Sequence, residues 1–196
     1  AEAARQIGFP VALKLVNPKL PHKSDHGIVR LGLCDADDIG GIAQEVVSLG
    51  SQALGHPADD RILIEQMADG PIAELLVGIQ NDRHFGLVMT IAGGGTLVEL
   101  MADSATVLLP AQPQDLANAL STLKVMKLLS GYRGRAQADL DELVQTLMKI
   151  GAMALTLSDT LIDMDINPLW VTKHDSIAVD ALIRLGNLDA LPAHLR

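Results

Sequence analysis

The segment Asp163-Met-Asp-Ile-Asn167-Pro168 sets three oxygen-bearing side chains at alternate positions of a short apolar run. Alternate residues of an extended strand face the same way. Asp163, Asp165 and Asn167 therefore share one face, and Ile162, Met164 and Ile166 share the other. A solvated strand face accounts for this pattern without chemistry. A hard-cation site accounts for it too, because Mg²⁺ takes carboxylate and amide oxygens. Asp180 extends the second reading: a hairpin turning near His174 returns Asp180 to within a residue or two of Asn167 and offers two ligands on adjacent strands.

Lys14 stands inside the apolar run Val11-Ala-Leu-Lys-Leu-Val16. A lysine there must reach a partner or snorkel out. A phosphate and a structural carboxylate both qualify. Glu65 and Glu74 pose the same question on their own strands, where edge exposure is the plainer answer. Gly93-Gly94-Gly95 permits close approach of the backbone to a ligand, or is a flexible turn, and its spacing does not match the phosphate-binding loop.

His22-Lys23-Ser24-Asp25 lies on a loop bounded by Pro18 and Gly27. A histidine so placed can act as a mobile nucleophile, with a neighbouring cation to favour phosphate and a carboxylate to orient the ring. Plain surface is the competing reading. His26, His56, His84, His174 and His194 are read as surface. Cys34 has no patterned His or Asp partner and reads as a small core residue. No His/Cys group has zinc spacing.

Positioning these residues requires strands at Pro10–Val16, Ile28–Leu33, Arg61–Met67, Ile72–Gln80 and Gly86–Ile91. Asp69-Gly70-Pro71 is the turn between the third and fourth of these. An amphipathic helix is predicted from Asp35, its cap, to Gly50, with Ile39, Ile42, Val46 and Leu49 on one face. Further helices are predicted over Gln114–Leu129 and Ala138–Leu157, the latter with Leu140, Leu143, Leu147, Ile150 and Ala154 in one stripe. Leu97–Met101 and Thr106–Leu109 are short segments. Leu161–Ile166, Leu169–Thr172 and Ile177–Val179 read as strands, with a turn over Thr172–Ser176. Strands follow one another directly too often for a doubly wound parallel sheet, which needs a crossover after nearly every strand. The order fits an α+β fold with antiparallel sheets.

The chain has 196 residues, 48% of them hydrophobic, enough for one sizeable core or two lobes. Its formal charge of -9 excludes the electrostatic footprint of a nucleic-acid binder. Phosphate binding would therefore need local cations or a metal. With 2% aromatics, base stacking is not an option. The single cysteine forbids an internal disulfide. No run has the length of a membrane span, and no basic n-region with an apolar h-region stands at residues 1–20, so a cytoplasmic location is expected. Ala1–Gln6 reads as the end of a helix closed by Gly8 and Pro10, with no start methionine and no cap before it. The expectation is a fragment of a longer chain.

Nine segments in order resemble one family across residues 1–185. They are Ile7-Gly-Phe-Pro-Val-Ala-Leu-Lys14, Pro21-His-Lys-Ser-Asp25, Ile64-Glu-Gln-Met67, Glu74-Leu-Leu-Val-Gly78, Asp82-Arg-His-Phe-Gly86, Gly94-Gly-Thr-Leu-Val-Glu99, Leu129-Ser-Gly-Tyr-Arg-Gly134, Asp165-Ile-Asn-Pro-Leu169 and Ala178-Val-Asp-Ala181. The family is the ATP-grasp domain of ADP-forming acyl-CoA synthetases, including the acetate–CoA ligase type and related to the succinyl-CoA synthetase beta subunit.

The resemblance implies two α+β lobes with nucleotide between them and an N-terminal portion missing. The first lobe would span 1–70, the second 71–185 with the metal site, and a tail 186–196. It implies that Lys14 contacts the nucleotide phosphates. Glu65, Gln66 and Met67 form the hinge beside the adenine, and Glu74 joins these cofactor-binding residues. Asn167 and Asp180 become Mg²⁺ ligands, His22 the carrier of phosphoryl from ATP, and Asp165 the carboxylate supporting it. The implied reaction is acid + CoA + ATP ⇌ acyl-CoA + ADP + phosphate. Its partners are CoA-binding and ligase domains or a subunit of the same enzyme, with CoA and a small carboxylic acid as substrates. There are departures: Ile28 stands where a second glycine is usual, Leu87 replaces a proline, and Asp163 stands where glutamate is common.

Two other functions compete. One is a non-catalytic regulatory domain of a protein lysine acetyltransferase, against which the retention of His22, Asp165, Asn167 and Asp180 speaks. The other is an ordinary carboxylate–amine ligase, against which the His-Lys-Ser-Asp loop speaks.

Overall fold

The computed structural model describes residues 1–20, 26–58, 61–67, 70–94 and 103–186. They form two compact units, Ala1–Asp69 and Gly70–Arg196.

In the first unit a short helix α1 (Glu2–Ile7) precedes β1 (Val11–Leu15), β2 (Val29–Leu33), the long helix α2 (Ala36–Leu54) and β3 (Ile62–Gln66). The strand order is β2-β1-β3, all antiparallel. Val11, Leu13 and Leu15 lie on one face of the central strand and pack with Ile39 and Val46 of α2. Asp35 caps that helix, its Oδ1 accepting the Asp37 N–H at 2.9 Å. The carboxylate offers α2 a partner for one of its unpaired first-turn donors.

The second unit carries a six-stranded antiparallel sheet. Its strands are β4 (Ala73–Asp82), β5 (Gly86–Gly93), β6 (Ser104–Leu108), β7 (Leu161–Val171), β8 (Ser176–Ala178) and β9 (Ala181–Leu185). The order is β6-β5-β4-β7-β8, with β9 also pairing β7. One face is covered by α3 (Pro113–Thr122) and α5 (Leu140–Thr156), with α4 (Met126–Leu129) between them in sequence. Leu143, Leu147, Ile150 and Ala154 pack there against Leu75, Val77, Ile79, Met89 and Ile91. The alternation of β4, buried at Ala73, Leu75, Val77 and Ile79 and half-buried between, marks a sheet with one face in the core.

The architecture is α+β with antiparallel sheets, as the strand order implied. Four local expectations are corrected. The helix predicted over 114–129 is broken at Leu123–Val125, because the Asp103 carboxylate takes the N–H groups of Lys124 and Val125 at 2.7 and 3.0 Å. Strand β7 runs unbroken through Pro168, since a bulge absorbs the extra residue between the β4 pairings of Leu169 and Ile166. Strand β9 was not anticipated: Ala181–Leu185 is exposed along its whole length, so no buried face marked it. Cys34 is exposed rather than in the core, its Sγ donating to the Gly32 carbonyl at 3.3 Å. Among the described residues no helix is long and apolar enough to cross a membrane.

Candidate functional site

Lys14 is the one buried charged residue among those described, 6% exposed. Pairing of β1 with β3 sets Ala12 opposite Glu65 and Lys14 opposite Leu63. Lys14 and Glu65 therefore lie diagonally on the sheet face that does not hold Leu13 and Leu15. Nζ of Lys14 is 2.6 Å from Oε2 of Glu65. An unpaired ammonium at this depth would cost several kcal/mol, and the carboxylate offsets that cost. A structural carboxylate is thus among the partners of Lys14, and Glu65 is not a plain edge residue. Gln66 is exposed at the end of β3. Met67 follows, donating its N–H to the Pro10 carbonyl at 2.9 Å and lying beside the Gly32 N–H through its sulfur at 2.9 Å.

In the second unit the residues singled out in the sequence collect on the sheet face away from the helices. Asp165 pairs with Gly78 of β4 and Leu182 of β9, Asp163 with Gln80 and Arg184, and Trp170 with Glu74. Asp165 is half-buried and Asn167 exposed, while Met164 and Ile166 point into the core. The N–H of Asn167 donates to the Asp180 carbonyl at 3.1 Å, and that of Val179 to the Pro168 carbonyl at 3.0 Å. Asn167 and Asp180 are therefore direct neighbours on adjacent chain segments. Glu74 is half-buried, and its Oε1 accepts from Trp170 Nε1 at 3.2 Å.

Not every carboxylate on this face has the same use. Asp163 is engaged by Arg184, whose Nε donates at 2.8 Å and whose second nitrogen contacts the other oxygen. That hydrogen-bonded pairing lifts the guanidinium above its ordinary range. Asp163 is thereby tied to Arg184; Asp165, Asn167 and Asp180 supply carboxylate and amide oxygens of the type a hard divalent cation accepts, and Oδ1 of Asp180 also accepts the Ala181 N–H at 3.1 Å. Fit to Mg²⁺ rests on that donor chemistry and on the shared face.

Gly94 has a structural use that the sequence did not disclose. Its N–H donates to the Glu74 carbonyl at 2.6 Å, and a Cβ there would lie 2.7 Å from the Glu74 carbonyl carbon and oxygen. The close approach is to β4, the strand that carries Glu74. The β4–β5 hairpin tip is fixed by Asp82, whose Oδ1 accepts the N–H groups of His84 and Phe85 at 2.7 and 3.0 Å. These bonds, that from His84 first, hold the Asp82 carboxyl below the usual carboxylate range. His26, His56, His84 and His174 are exposed. His22 and its neighbours Pro21 to Asp25, together with Gly95, Glu99 and His194, lie outside the described residues.

Comparison with known proteins adds an independent finding. The ATP-grasp domain family matches residues 1–185. The beta subunit of acetate–CoA ligase (ADP-forming) II from Pyrococcus furiosus is 29% identical over 93% of this chain and 78% of its own length. Acetate–CoA ligase (ADP-forming) II from Archaeoglobus fulgidus is 31% identical over 94% of this chain, which spans 26% of that longer protein. An acetyl-coenzyme A synthetase of Ca. Korarchaeum cryptofilum superposes with a TM-score of 0.80 at 29% identity, covering 94% of this chain and 80% of that one. That structure holds coenzyme A and Mg-AMPPCP, with its phosphohistidine segment pointing towards the nucleotide binding site. The acetyltransferase-linked regulatory alternative finds no support in these comparisons.

Proposed function

The chain belongs to the ATP-grasp domain family, and from that premise we propose that it is the nucleotide-handling part of an ADP-forming acid–CoA ligase. The proposed overall reaction is acid + CoA + ATP ⇌ acyl-CoA + ADP + phosphate. The observation that carries this reading for the chain's own residues is the grouping of Asp165, Asn167 and Asp180 on one sheet face, with Asn167 and Asp180 bonded through their main chains.

The first unit supplies Lys14, whose ammonium would meet the nucleotide phosphates. Glu65, 2.6 Å from that ammonium, holds it in place through the buried strand. Glu65, Gln66 and Met67, with their main chain anchored through Met67 to Pro10, would border the adenine. The second unit supplies Asn167 and Asp180 as ligands of Mg²⁺, and Glu74, fixed by Trp170 and by Gly94, as a further nucleotide contact. Bound Mg²⁺ would neutralise charge on the phosphates and so lower the barrier to transfer.

His22 would attack the γ-phosphoryl through a ring nitrogen, ADP leaving, and so divide one difficult transfer into two easier ones. Asp165 would support the ring from the metal-bearing face. The phosphoryl then leaves His22 for the chemistry of the acid and CoA, which needs CoA-binding and ligase domains or a subunit of the same enzyme. The chain spans about a quarter of the Archaeoglobus ligase and most of the Pyrococcus subunit, so those functions are assigned to other protein. Retention of label from Mg²⁺ and γ-labelled ATP on His22 of the full-length enzyme tests the reading, and absence of label refutes it.

A further inference from the structure

The segment from Leu129 to Ala138 has no part in the site described above. Its feet are buried, Leu129 at 0% and Ala138 at 5% exposure, and are joined by the Ala138 N–H to the Leu129 carbonyl at 2.9 Å. From this closed base Ser130–Gln137 stand out, exposed at every position but the half-buried Gly131. Helix α4, which leads into the loop, is itself pinned by the Asp103 carboxylate.

Within the loop Gly131, Arg133 and Gly134 all have positive φ, at 87°, 54° and 79°. Arg133 is the one non-glycine residue in that region among the described residues. Glycine occupies this conformation without the steric penalty that arginine bears. Strain of this kind persists where the surrounding structure enforces it, and it concentrates at functional sites. The Arg133 guanidinium carbon lies 5.2 Å from the centre of the Tyr132 ring, itself 48% exposed. Stacking orients the planar group and leaves its N–H edges outward. Neither Arg133 nor Arg135 makes an ion pair among the described residues.

Charge patterning points the same way. The chain carries a formal charge of -9, yet Lys124, Lys127, Arg133 and Arg135 fall between Asp115 and Asp139 with no acid among them. We propose that the Ser130–Gln137 loop is a docking surface for an acidic protein surface, supplied by the CoA-binding and ligase portion of the same enzyme. This rests on the functional reading above. A small anion is disfavoured because small ligands take concave pockets, whereas these groups stand on a projecting loop. Exposed Arg and Tyr are the side chains that anchor protein interfaces. A loop tied at its base loses little entropy on docking.

The test uses the full-length enzyme carrying Arg133→Glu with Arg135→Glu, and separately Arg133→Gly. The glycine variant relieves the backbone strain while removing the charge, so its effect cannot be assigned to misfolding. Acyl-CoA formation is expected to fall about tenfold or more in the double variant, and less in the glycine variant. Uptake of the γ-phosphoryl from Mg²⁺-ATP should stay within about twofold of wild type, because that step needs no docking. The wild-type advantage should shrink as salt rises from about 50 to 300 mM. Wild-type acyl-CoA formation by the double variant overturns the docking surface and leaves the functional reading standing. A wild-type enzyme that takes up no phosphoryl refutes the functional reading instead. In that event Tyr132→p-benzoylphenylalanine decides the docking question. A photocrosslink to an acidic segment outside these 196 residues supports it, and no such crosslink overturns it.

Discussion

Nζ of Lys14 and Oε2 of Glu65 lie 2.6 Å apart, with the lysine side chain 7% exposed and the glutamate 39%. The asymmetry of burial makes the two partners unequal. Removing Glu65 takes an anionic partner from a buried ammonium, while removing Lys14 takes the cation from a buried Oε2 on a part-exposed side chain that can turn toward water. Glu65→Leu is therefore expected to lower stability by about 1–3 kcal/mol, a range discounted for the exposure of Glu65. Lys14→Met should cost about 1 kcal/mol or less, yet weaken nucleotide binding about tenfold or more. Urea unfolding and nucleotide titration of both variants check this. Equal destabilisation would show that burial does not set the balance.

Asn167 and Asp180 are held together by main-chain atoms, and Oδ1 of Asp180 also accepts the Ala181 N–H at 3.1 Å where β9 begins. Asn167→Ala should keep the wild-type melting temperature within a few degrees, by the ~0.5 kcal/mol typical of surface changes, and Asp180→Ala, which loses the Ala181 N–H bond, should cost about 1 kcal/mol. Each should weaken the Mg²⁺-dependent part of nucleotide binding about tenfold or more. Lys14→Met should lower affinity with or without the metal. Paired titrations with Mg²⁺ and with EDTA separate the cases, and an unchanged Mg²⁺ dependence in Asp180→Ala would remove Asp180 from the metal site.

Gly94→Ala places a methyl 2.7 Å from the Glu74 main chain. A strand carbonyl cannot move aside as a flexible side chain can. The expected cost is about 1–3 kcal/mol, together with loss of the Trp170–Glu74 hydrogen bond as β4 shifts. Thermal unfolding and the Trp170 indole N–H resonance report both. An unperturbed resonance with wild-type stability would contradict the close approach.

The α+β class was legible because strands succeed one another without helical crossovers. The shared face of Asp163, Asp165 and Asn167 was legible because a strand has a period of two. What separates Asp163 from its neighbours was not, because Arg184 lies on β9, a strand whose fully exposed residues leave no alternation to read. The Glu65 partner of Lys14 was open for a related reason: diagonal neighbours depend on the register of β1 against β3, which no local pattern sets. The role of Gly94 depends on its approach to Glu74, twenty residues earlier in the chain.

The carboxyl of Asp82 is held below its ordinary value by the N–H groups of His84 and then Phe85. A depressed folded pKa contributes stability that is present above the unfolded value, 3.8 for this group, and lost as pH falls through the folded one. The protection factors of the His84 and Phe85 amides should therefore hold at neutral pH and fall only below the unfolded value of 3.8, with Asp82→Asn removing the pH dependence. A protection profile that is flat down to acid unfolding would contradict the capping bonds.

The phosphohistidine is the claim on which the enzymatic reading turns. Full-length enzyme is incubated with Mg²⁺ and γ-labelled ATP, and the label retained on protein is measured for wild type, His22→Ala and Asp165→Ala. Wild type should retain an acid-labile label, Asp165→Ala should acquire it more slowly, and His22→Ala should retain none while still binding nucleotide. Labelling of His22→Ala at the wild-type level, or acyl-CoA synthesis by it at the wild-type rate, would contradict the assignment.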